Sequence, residues 1–199
     1  MEVNKMKRKT NTTFYVREAF SQLISQKGIE EISVKDIIER AGISRGTFYL
    51  HYLDKYDLME KLEDDVLRNL SEIFLSSSSD NEHPNLLISY DAILESLRYV
   101  QQDFQLVYGL VTDKGSKSFI EKFKVLLIAV VKEKLAAKNQ EVVKEFQIPE
   151  EYALEIVLSS ILAIILLWIK KGGKESPEEI TDIVMLSKKI APIQFVNSI

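Results

Sequence analysis

The sequence has no cysteine, and its 199 residues include only 7 glycines and 4 prolines. A chain without cysteine can form neither disulfide bonds nor thiolate metal sites, which fits a cytoplasmic protein. The scarcity of glycine and proline, with 46% hydrophobic residues, favours an all-α fold of one large or two small domains. Because there are only 2 histidines, we expect no metal site. We expect no cofactor either. The charged N-terminal segment also lacks the apolar core of a signal peptide.

The sequence also lacks an apolar run long enough to span a membrane and any recognisable set of catalytic residues. The most apolar stretch runs from Ile156 to Ile169 and is interrupted by Ser159 and Ser160. A helix that crosses a bilayer needs roughly 20 apolar residues, so we predict no membrane span. The sequence has no cysteine nucleophile, no histidine pair and no glycine-rich phosphate loop, and the two serines have no base nearby. We therefore expect that the protein is not an enzyme, and that these serines bond to backbone carbonyls or line a pocket.

A strong local signal lies between residues 33 and 56, where the sequence reads SVKDIIERAGISRGTFYLHYLDKY. Ser33 opens a capping box, Gly42 is suited to end a helix, and Ser44 can cap the next helix. A third helix start follows at Asp54. This spacing predicts two short helices, the second from Arg45 to Tyr52, joined by a tight turn and followed by a long helix. Such an arrangement is a helix-turn-helix.

Acidic residues are absent around the second helix of this motif, from Ala41 through Leu53. If Phe48 faces the core, a turn of roughly 100° per residue places Gly46 and Leu50 on the outer side. Glycine there would let the backbone approach a groove wall closely. An acid-free helix with an outward leucine favours DNA binding, and the alternative is a helical hairpin whose polar face is incidental.

The residue types on this surface match contacts that proteins make with DNA. Direct base contacts are predicted for Arg45, Thr47 and Leu50, at a guanine edge, another base edge or a thymine methyl group. Phosphate contacts are predicted for Tyr49, His51 and Lys55. The complete set of predicted DNA-binding residues is Ser33, Ser44, Arg45, Gly46, Thr47, Tyr49, Leu50, His51 and Lys55.

Charge is notable for its placement rather than for its amount. The formal net charge is −4, which alone would not suggest a nucleic-acid ligand. Four basic residues at positions 5 and 7–9 precede a first helix that we expect from about Thr10 to Lys27. They are either a disordered arm that touches DNA or a merely soluble tail.

The segment AGISRGTFYLHYLDKYDL resembles the signature of the TetR family of transcriptional regulators. The matching residues are Ala41, Gly42, Ile43, Ser44, Arg45, Gly46, Thr47, Phe48, Tyr49, Tyr52 and Lys55. The resemblance extends back to Gly28 and covers the N-terminal part of the chain. Two residues depart from the family pattern: Ser33 stands for the usual threonine, and Leu53 stands for the usual phenylalanine. We still expect Leu53 to pack on Leu58 as a hydrophobic staple.

The resemblance implies a three-helix DNA-binding domain over residues 1–53 and a helical ligand-binding and dimerisation domain over residues 54–199, with about nine helices in all. It also implies a homodimer through the last two helices, at about 150–171 and 177–191, that binds an inverted repeat in a double-stranded DNA operator. The residues agree with this expectation, because the helix after Pro149 is apolar all round and one monomer can hardly bury it.

In TetR-like proteins a small molecule binds among the middle helices and tilts the long helix, so the resemblance implies a repressor released by an unknown small-molecule effector. The candidate pocket residues are Tyr90, Tyr99, Phe104, Tyr108, Phe123 and Trp168. Each can instead be an ordinary core aromatic, and their lack of clustered charge favours an apolar or aromatic effector. The GG…SPEE ending is similar to one branch of the family, which implies an alternative: a coactivator that acts through a protein partner, with weak or no autonomous DNA binding.

Overall fold

The computed structural model describes residues 2–76, 88–112, 115–116, 118–137 and 149–187. These residues form helices and no strand, which confirms the all-α fold. None of the helices in these ranges is long and apolar enough to cross a membrane. The helices are α1 (Glu2–Gln26), α2 (Val34–Ala41), α3 (Arg45–Tyr49), α4 (Lys55–Ser76), α5 (Tyr90–Gln102), α6 (Phe104–Val111), α7 (Phe119–Ala137), α8 (Glu150–Lys170) and α9 (Pro177–Ser187).

Packing divides the chain into two compact units, and the division falls inside α4. Unit 1 comprises residues 1–66 and 103–120, and unit 2 comprises residues 67–102 and 121–199. The sequence predicted a boundary between residues 53 and 54. The division by packing places α6 with the N-terminal helices because α6 packs against α1, a long-range pairing that no local pattern encodes.

Unit 1 is held together largely by the packing of α1 against α6. Residues buried on these two helices include Val16, Phe20, Ile24, Leu106 and Leu110. A methyl group at Gly109 would lie 2.4 Å from Cγ2 of Ile24, so the close approach of the helices requires glycine there. Arg17 of α1 forms an ion pair with Asp103, the residue before α6. Helix α1, which also packs against α2 of the helix-turn-helix, is thus joined to α6.

The caps predicted for the helix-turn-helix are confirmed. Ser33 Oγ accepts a hydrogen bond from the Asp36 N–H at 3.1 Å, and the Asp36 carboxylate accepts one from the Ser33 N–H at 2.8 Å. Gly42 ends α2 in the left-handed region with φ of 64°. Ser44 Oγ accepts a hydrogen bond from the Thr47 N–H at 3.0 Å and so begins α3.

Helix α3 is shorter than predicted, since it ends at Tyr49 rather than Tyr52. The N–H groups of His51 and Tyr52 both donate to the Phe48 carbonyl, at 2.9 and 3.0 Å, and this turn redirects the chain towards α4. Leu53 then remains 80% exposed while Leu58 is fully buried. The predicted staple between these two leucines is therefore wrong.

Helix α1 begins earlier than predicted, at Glu2 rather than near Thr10. The basic run at positions 5 and 7–9 is thus part of the helix and does not precede it. The physical reason is visible in the sequence, because residues 2–9 contain no glycine, proline or capping serine that would stop a helix.

In unit 2, α9 packs against both α5 and α8. Gly172 and Gly173, with φ of 91° and 62°, reverse the chain after α8. Trp168 is buried and its Nε1 donates to the Glu175 carbonyl at 2.9 Å, which secures this reversal. A capping box begins α9: the Ser176 N–H donates to the Glu179 carboxylate at 2.8 Å, and the Glu179 N–H donates to Ser176 Oγ at 3.2 Å.

Helix α8 is buried on one side only within the single chain. Its exposed side carries three large apolar residues, Tyr152, Ile156 and Leu167, which are 59%, 63% and 58% exposed. Ser160 Oγ donates to the Val157 carbonyl at 2.9 Å, as predicted. Ser159 does not follow that prediction, because its hydroxyl donates to the Glu155 carboxylate at 2.9 Å.

Candidate nucleic-acid interface

Helix α3 is anchored from one side and open on the other. Phe48 is fully buried, Tyr52 is nearly so, and their ring centroids lie 5.3 Å apart. On the opposite side Gly46 is exposed and Leu50 is 83% exposed. The predicted orientation of α3 therefore holds, and the acid-free surface faces solvent.

Arg45 and Tyr49, four residues apart, form a pair on this open surface. The Arg45 guanidinium carbon lies 5.5 Å from the Tyr49 ring centroid, and Nη2 donates to the Tyr49 hydroxyl at 3.4 Å. Both side chains are exposed. A cation over an aromatic ring limits the conformations of both side chains while the charge stays in solvent.

Gly46 is not required by the packing of the free protein. A Cβ at this position would meet only Ser44 Oγ, at the ordinary distance of 3.8 Å. Gly46 thus contrasts with Gly109, whose missing side chain is demanded by a neighbouring helix. The open space above Gly46 is available to a molecule that approaches from outside.

The hydroxyl groups near the helix starts are already engaged in local bonds. Ser33 Oγ donates to the Asp36 carboxylate at 2.7 Å, in addition to its cap. Ser44 Oγ and Thr47 Oγ1 lie 2.8 Å apart and share a hydrogen bond. These residues shape the N-termini of α2 and α3, where backbone N–H groups favour an anion such as phosphate.

Lys55 and His51 lie at the edge of the surface and are half-buried. Lys55 Nζ donates to the carbonyl oxygens of Ile29, Glu30 and Ile32, at 2.8, 3.1 and 2.9 Å. The backbone carbonyl of His51 accepts a hydrogen bond from Lys61 Nζ at 3.0 Å. The structure thus gives Lys55 a set of internal partners that the sequence did not predict.

Three aspartates of the motif are bonded within the protein. The two hydrogen bonds from Ser33 lower the pKa of Asp36, and the bonds from Lys61 and the Leu53 N–H lower the pKa of Asp57. The Asp54 carboxylate accepts bonds from the N–H groups of Tyr56 and Asp57, both at 2.8 Å. Each of these three carboxylates therefore has hydrogen-bond donors of the protein as partners, at a helix N-terminus or on Lys61.

Sequence reasoning missed three residues of this region. Leu53 and Tyr56 are exposed, at 80% and 46%, beside the predicted contacts. Lys61 bonds to Asp57 at 2.8 Å and lies 5.3 Å from the Tyr52 ring centroid. The only sequence signal for Lys61 was its spacing of four residues from Asp57, which is typical of helical ion pairs.

The six aromatics predicted to line a pocket are distributed over both units. Phe104 and Tyr108 belong to α6 in unit 1, and their stacked ring centroids are 5.9 Å apart. The other four, in unit 2, are Tyr90, Tyr99, Phe123 and Trp168. Tyr99 accepts a hydrogen bond from Asn69 at 3.1 Å, and the Phe123 ring centroid lies 6.5 Å from that of Phe74. Within the described ranges, no group of three or more acidic or histidine side chains is placed to hold a metal ion.

Two family models match the chain. The model for "Bacterial regulatory proteins, tetR family" matches residues 17–62, which include α2, α3 and the start of α4. The model for "Transcriptional regulator C-terminal region" matches residues 89–187, which include α5 to α9. The chain belongs to the TetR family of transcriptional regulators.

Individual transcriptional regulators are similar to the chain at low identity. YxbF of Bacillus subtilis (strain 168), an uncharacterized HTH-type transcriptional regulator, is 24% identical over 169 residues, or 83% of this chain and 42% of that protein. The chain thus spans less than half the length of this curated relative. A solved TetR transcriptional regulator from Streptococcus agalactiae 2603V is 22% identical, with 94% of this chain and 98% of that chain covered and a TM-score of 0.66.

A second solved structure is that of NalD, the secondary repressor of the MexAB-OprM multidrug efflux pump in Pseudomonas aeruginosa. It is 18% identical, covers 91% of this chain and 95% of that chain, and has a TM-score of 0.67. At these identities the solved structures show that the TetR fold is shared along nearly the whole chain.

Proposed function

We propose that this TetR-family chain is a DNA-binding repressor that binds an inverted repeat in a double-stranded operator as a homodimer and leaves it when a small molecule binds. The single observation that carries the proposal is the exposed, acid-free surface of α3, held in place by the buried ring of Phe48. A helix presented in this way suits the major groove, where base edges can be distinguished. The proposed activity is binding, not catalysis, and its place is the bacterial cytoplasm.

The contacts divide into base reading and backbone positioning. Arg45 is assigned to a guanine edge, and Leu50 with Thr47 to a base edge or a thymine methyl group. Tyr49 and His51 are assigned to phosphate oxygens, and such contacts orient the protein on the duplex without reading its sequence. Gly46 supports this assignment, since its open surface permits close approach of the groove.

A homodimer is supported by the apolar residues that α8 and α9 leave exposed. On α8 they are Tyr152, Ile156 and Leu167, and on α9 they are Ile183 and Leu186, each 47% exposed. Large apolar side chains gathered on two adjacent helices are typical of a surface that another chain covers. A two-fold dimer would present two copies of α3 to successive major grooves, about 34–36 Å apart.

Release by an effector is supported by α4 and by the aromatics of unit 2. Helix α4 is continuous from Lys55 in unit 1 to Ser76 in unit 2, so a change in its tilt would reach the helix-turn-helix. Tyr99 and Phe123 are half-buried rather than fully packed, which suits a pocket for an apolar or aromatic molecule. The effector must bind the DNA-free state more tightly than the DNA-bound state.

The base-reading assignment is tested with Arg45→Ala. Fluorescence anisotropy with the upstream region of the protein's own operon should show a loss of about 1–3 kcal/mol in operator binding, a factor of about 5 to 150. Lys132→Ala, which removes an exposed positive charge on α7 in unit 2, is the matched control and should bind like the parent. Equal affinity and selectivity for Arg45→Ala and the parent would contradict the assignment. A shift that occurs only with a second protein would favour the coactivator.

The effector assignment is tested with the intrinsic fluorescence of Trp168, the only tryptophan. Titration of the dimer–operator complex with small aromatic compounds should change this emission at the same concentrations that lower the anisotropy of labelled operator. Trp168→Phe removes the optical signal and identifies inner-filter artefacts. Release of DNA by a compound that leaves the protein emission unchanged would argue against a site near Trp168.

A further inference from the structure

Lys55 is the first residue of α4, and its ammonium group is fully bonded inside unit 1. It donates to the carbonyl oxygens of Ile29, Glu30 and Ile32, at 2.8, 3.1 and 2.9 Å. A lysine ammonium has three N–H donors and no acceptor, so these carbonyls use all of its donors. All three belong to the turn that joins α1 to α2. A phosphate contact would require Lys55 to break at least one of these bonds.

A second bond from α4 reaches the same turn. The Tyr56 hydroxyl donates to the Glu30 carboxylate at 3.1 Å, and this bond raises the pKa of Tyr56. The Lys55 ammonium also lies 5.1 Å from the Tyr56 ring centroid. Two consecutive side chains of α4 therefore tie its first turn to the chain segment that precedes α2.

The second turn of α4 is tied to the other flank of the helix-turn-helix. Lys61 Nζ donates to the His51 carbonyl at 3.0 Å, just beyond the end of α3, and to the Asp57 carboxylate at 2.8 Å. The same carboxylate accepts the Leu53 N–H at 2.8 Å. Lys61 and Asp57 thus hold the loop that leads from α3 into α4.

We propose that Lys55 and Lys61 are positioning residues, which fix α3 by tying both flanks of the helix-turn-helix to α4, and that neither is a phosphate ligand. The proposal rests on the proposed DNA binding for its main assay. For Lys55 the physical basis is that a compact ammonium satisfies three convergent carbonyls, whereas a phosphate contact needs a donor that points to solvent. For Lys61 it is the ion pair with Asp57, which offsets the positive charge that a phosphate would attract. These two ties also explain how a displacement of α4 would disturb the surface of α3 from both sides.

The salt dependence of operator binding separates the two roles. The slope of log K against log salt concentration is negative, and the loss of one phosphate contact makes it less steep by about 0.9. For Lys55→Met and Lys61→Met we expect at least a tenfold loss of affinity at every salt concentration with the slope unchanged. Lys132→Met, in unit 2, should change neither quantity. If the slope of a lysine variant becomes less steep by about 0.9 while its thermal stability equals that of the parent, the proposal is overturned for that lysine.

Lys55→Arg provides the second discrimination, because it keeps the charge but replaces the ammonium by a broad planar group. A positioning role predicts that Lys55→Arg loses affinity much as Lys55→Met does, since guanidinium cannot occupy the same three-carbonyl site. A phosphate role predicts near-parental binding. Tyr56→Phe, which removes only the bond to Glu30, should fold and should weaken binding mildly without a change in slope.

Melting temperatures test the positioning role even if the parent protein does not bind its operator. That result would refute the proposed function alone. The positioning role then predicts that Lys55→Met, Lys55→Arg and Lys61→Met each lower the melting temperature by several degrees, while Lys132→Met leaves it unchanged. Parental melting temperatures for all three variants would overturn the inference whether or not the protein binds DNA.

Discussion

The proposed dimer makes a quantitative prediction for Ile156→Ala. Ile156 is 63% exposed in the single chain, at the middle of the apolar side of α8. The substitution removes three carbons, worth about 2.4 kcal/mol if fully transferred from water at about 0.8 kcal/mol per carbon. Since about two thirds of that surface remains for a partner to cover, the loss is about 1.5 kcal/mol per protomer. Two-fold symmetry doubles it to about 3 kcal/mol, or roughly a 150-fold weaker dimer.

Sedimentation equilibrium over a dilution series measures this change directly. The matched control is Val125→Ala on α7, because Val125 is similarly apolar and 59% exposed but lies outside the two helices assigned to the interface. We expect its dimer dissociation constant to stay within about twofold of the parent value. A parental constant for Ile156→Ala, or equal weakening in Val125→Ala, would refute the assignment of the interface to α8.

Further predictions concern the helix-turn-helix and its base. Gly46→Ala should leave the free energy of unfolding unchanged or raise it by about 0.5–1 kcal/mol, because its Cβ meets only Ser44 Oγ at 3.8 Å. Fluorescence anisotropy should show that the same variant binds the operator more weakly. Operator binding equal to that of the parent would argue against a close approach of DNA at α3. Gly109→Ala, whose Cβ would lie 2.4 Å from Ile24 Cγ2, should cost about 1–3 kcal/mol in urea unfolding, and an unchanged midpoint would contradict the tight packing of α1 on α6. Ser33→Ala should cost about 1 kcal/mol at neutral pH through loss of the capping box. Because the pKa of Asp36 is lowered below its ordinary 3.8, this contribution is present above the unfolded pKa and is lost as the pH falls through the folded value. The difference between parent and Ser33→Ala should therefore narrow in unfolding curves recorded in acid, and a difference that stays constant with pH would exclude Asp36 as the partner.

Features encoded over three or four residues could be read from the sequence. The caps at Ser33 and Ser44 depend on bonds to a residue three positions later, and both are present. The inward direction of Phe48 follows from helical periodicity alone, and the residue is fully buried.

Features that depend on distant partners could not be read in this way. Arg17 and Asp103 pair across 86 positions, and Lys55 bonds to carbonyls 23–26 positions away. From the sequence alone, Lys55 could contact a phosphate or bond inside the protein. The carbonyl oxygens that bind it come together only when the turn before α2 is folded. Leu53 shows the same limit: its N–H bonds to Asp57, and its side chain stays exposed instead of covering Leu58.

The proposed DNA-binding surface lies in a chain with a net charge of −4, and three aspartates beside it have partners within the protein. Asp36 and Asp54 bond to backbone N–H groups at the starts of α2 and α4, where the helix dipole favours negative charge. Asp57 is neutralised by Lys61 and bonded to the Leu53 N–H. These carboxylates stabilise the ends of the helices that flank α3. The same bonds that set the geometry of the helix-turn-helix therefore also reduce the repulsion that a phosphate backbone would meet beside it.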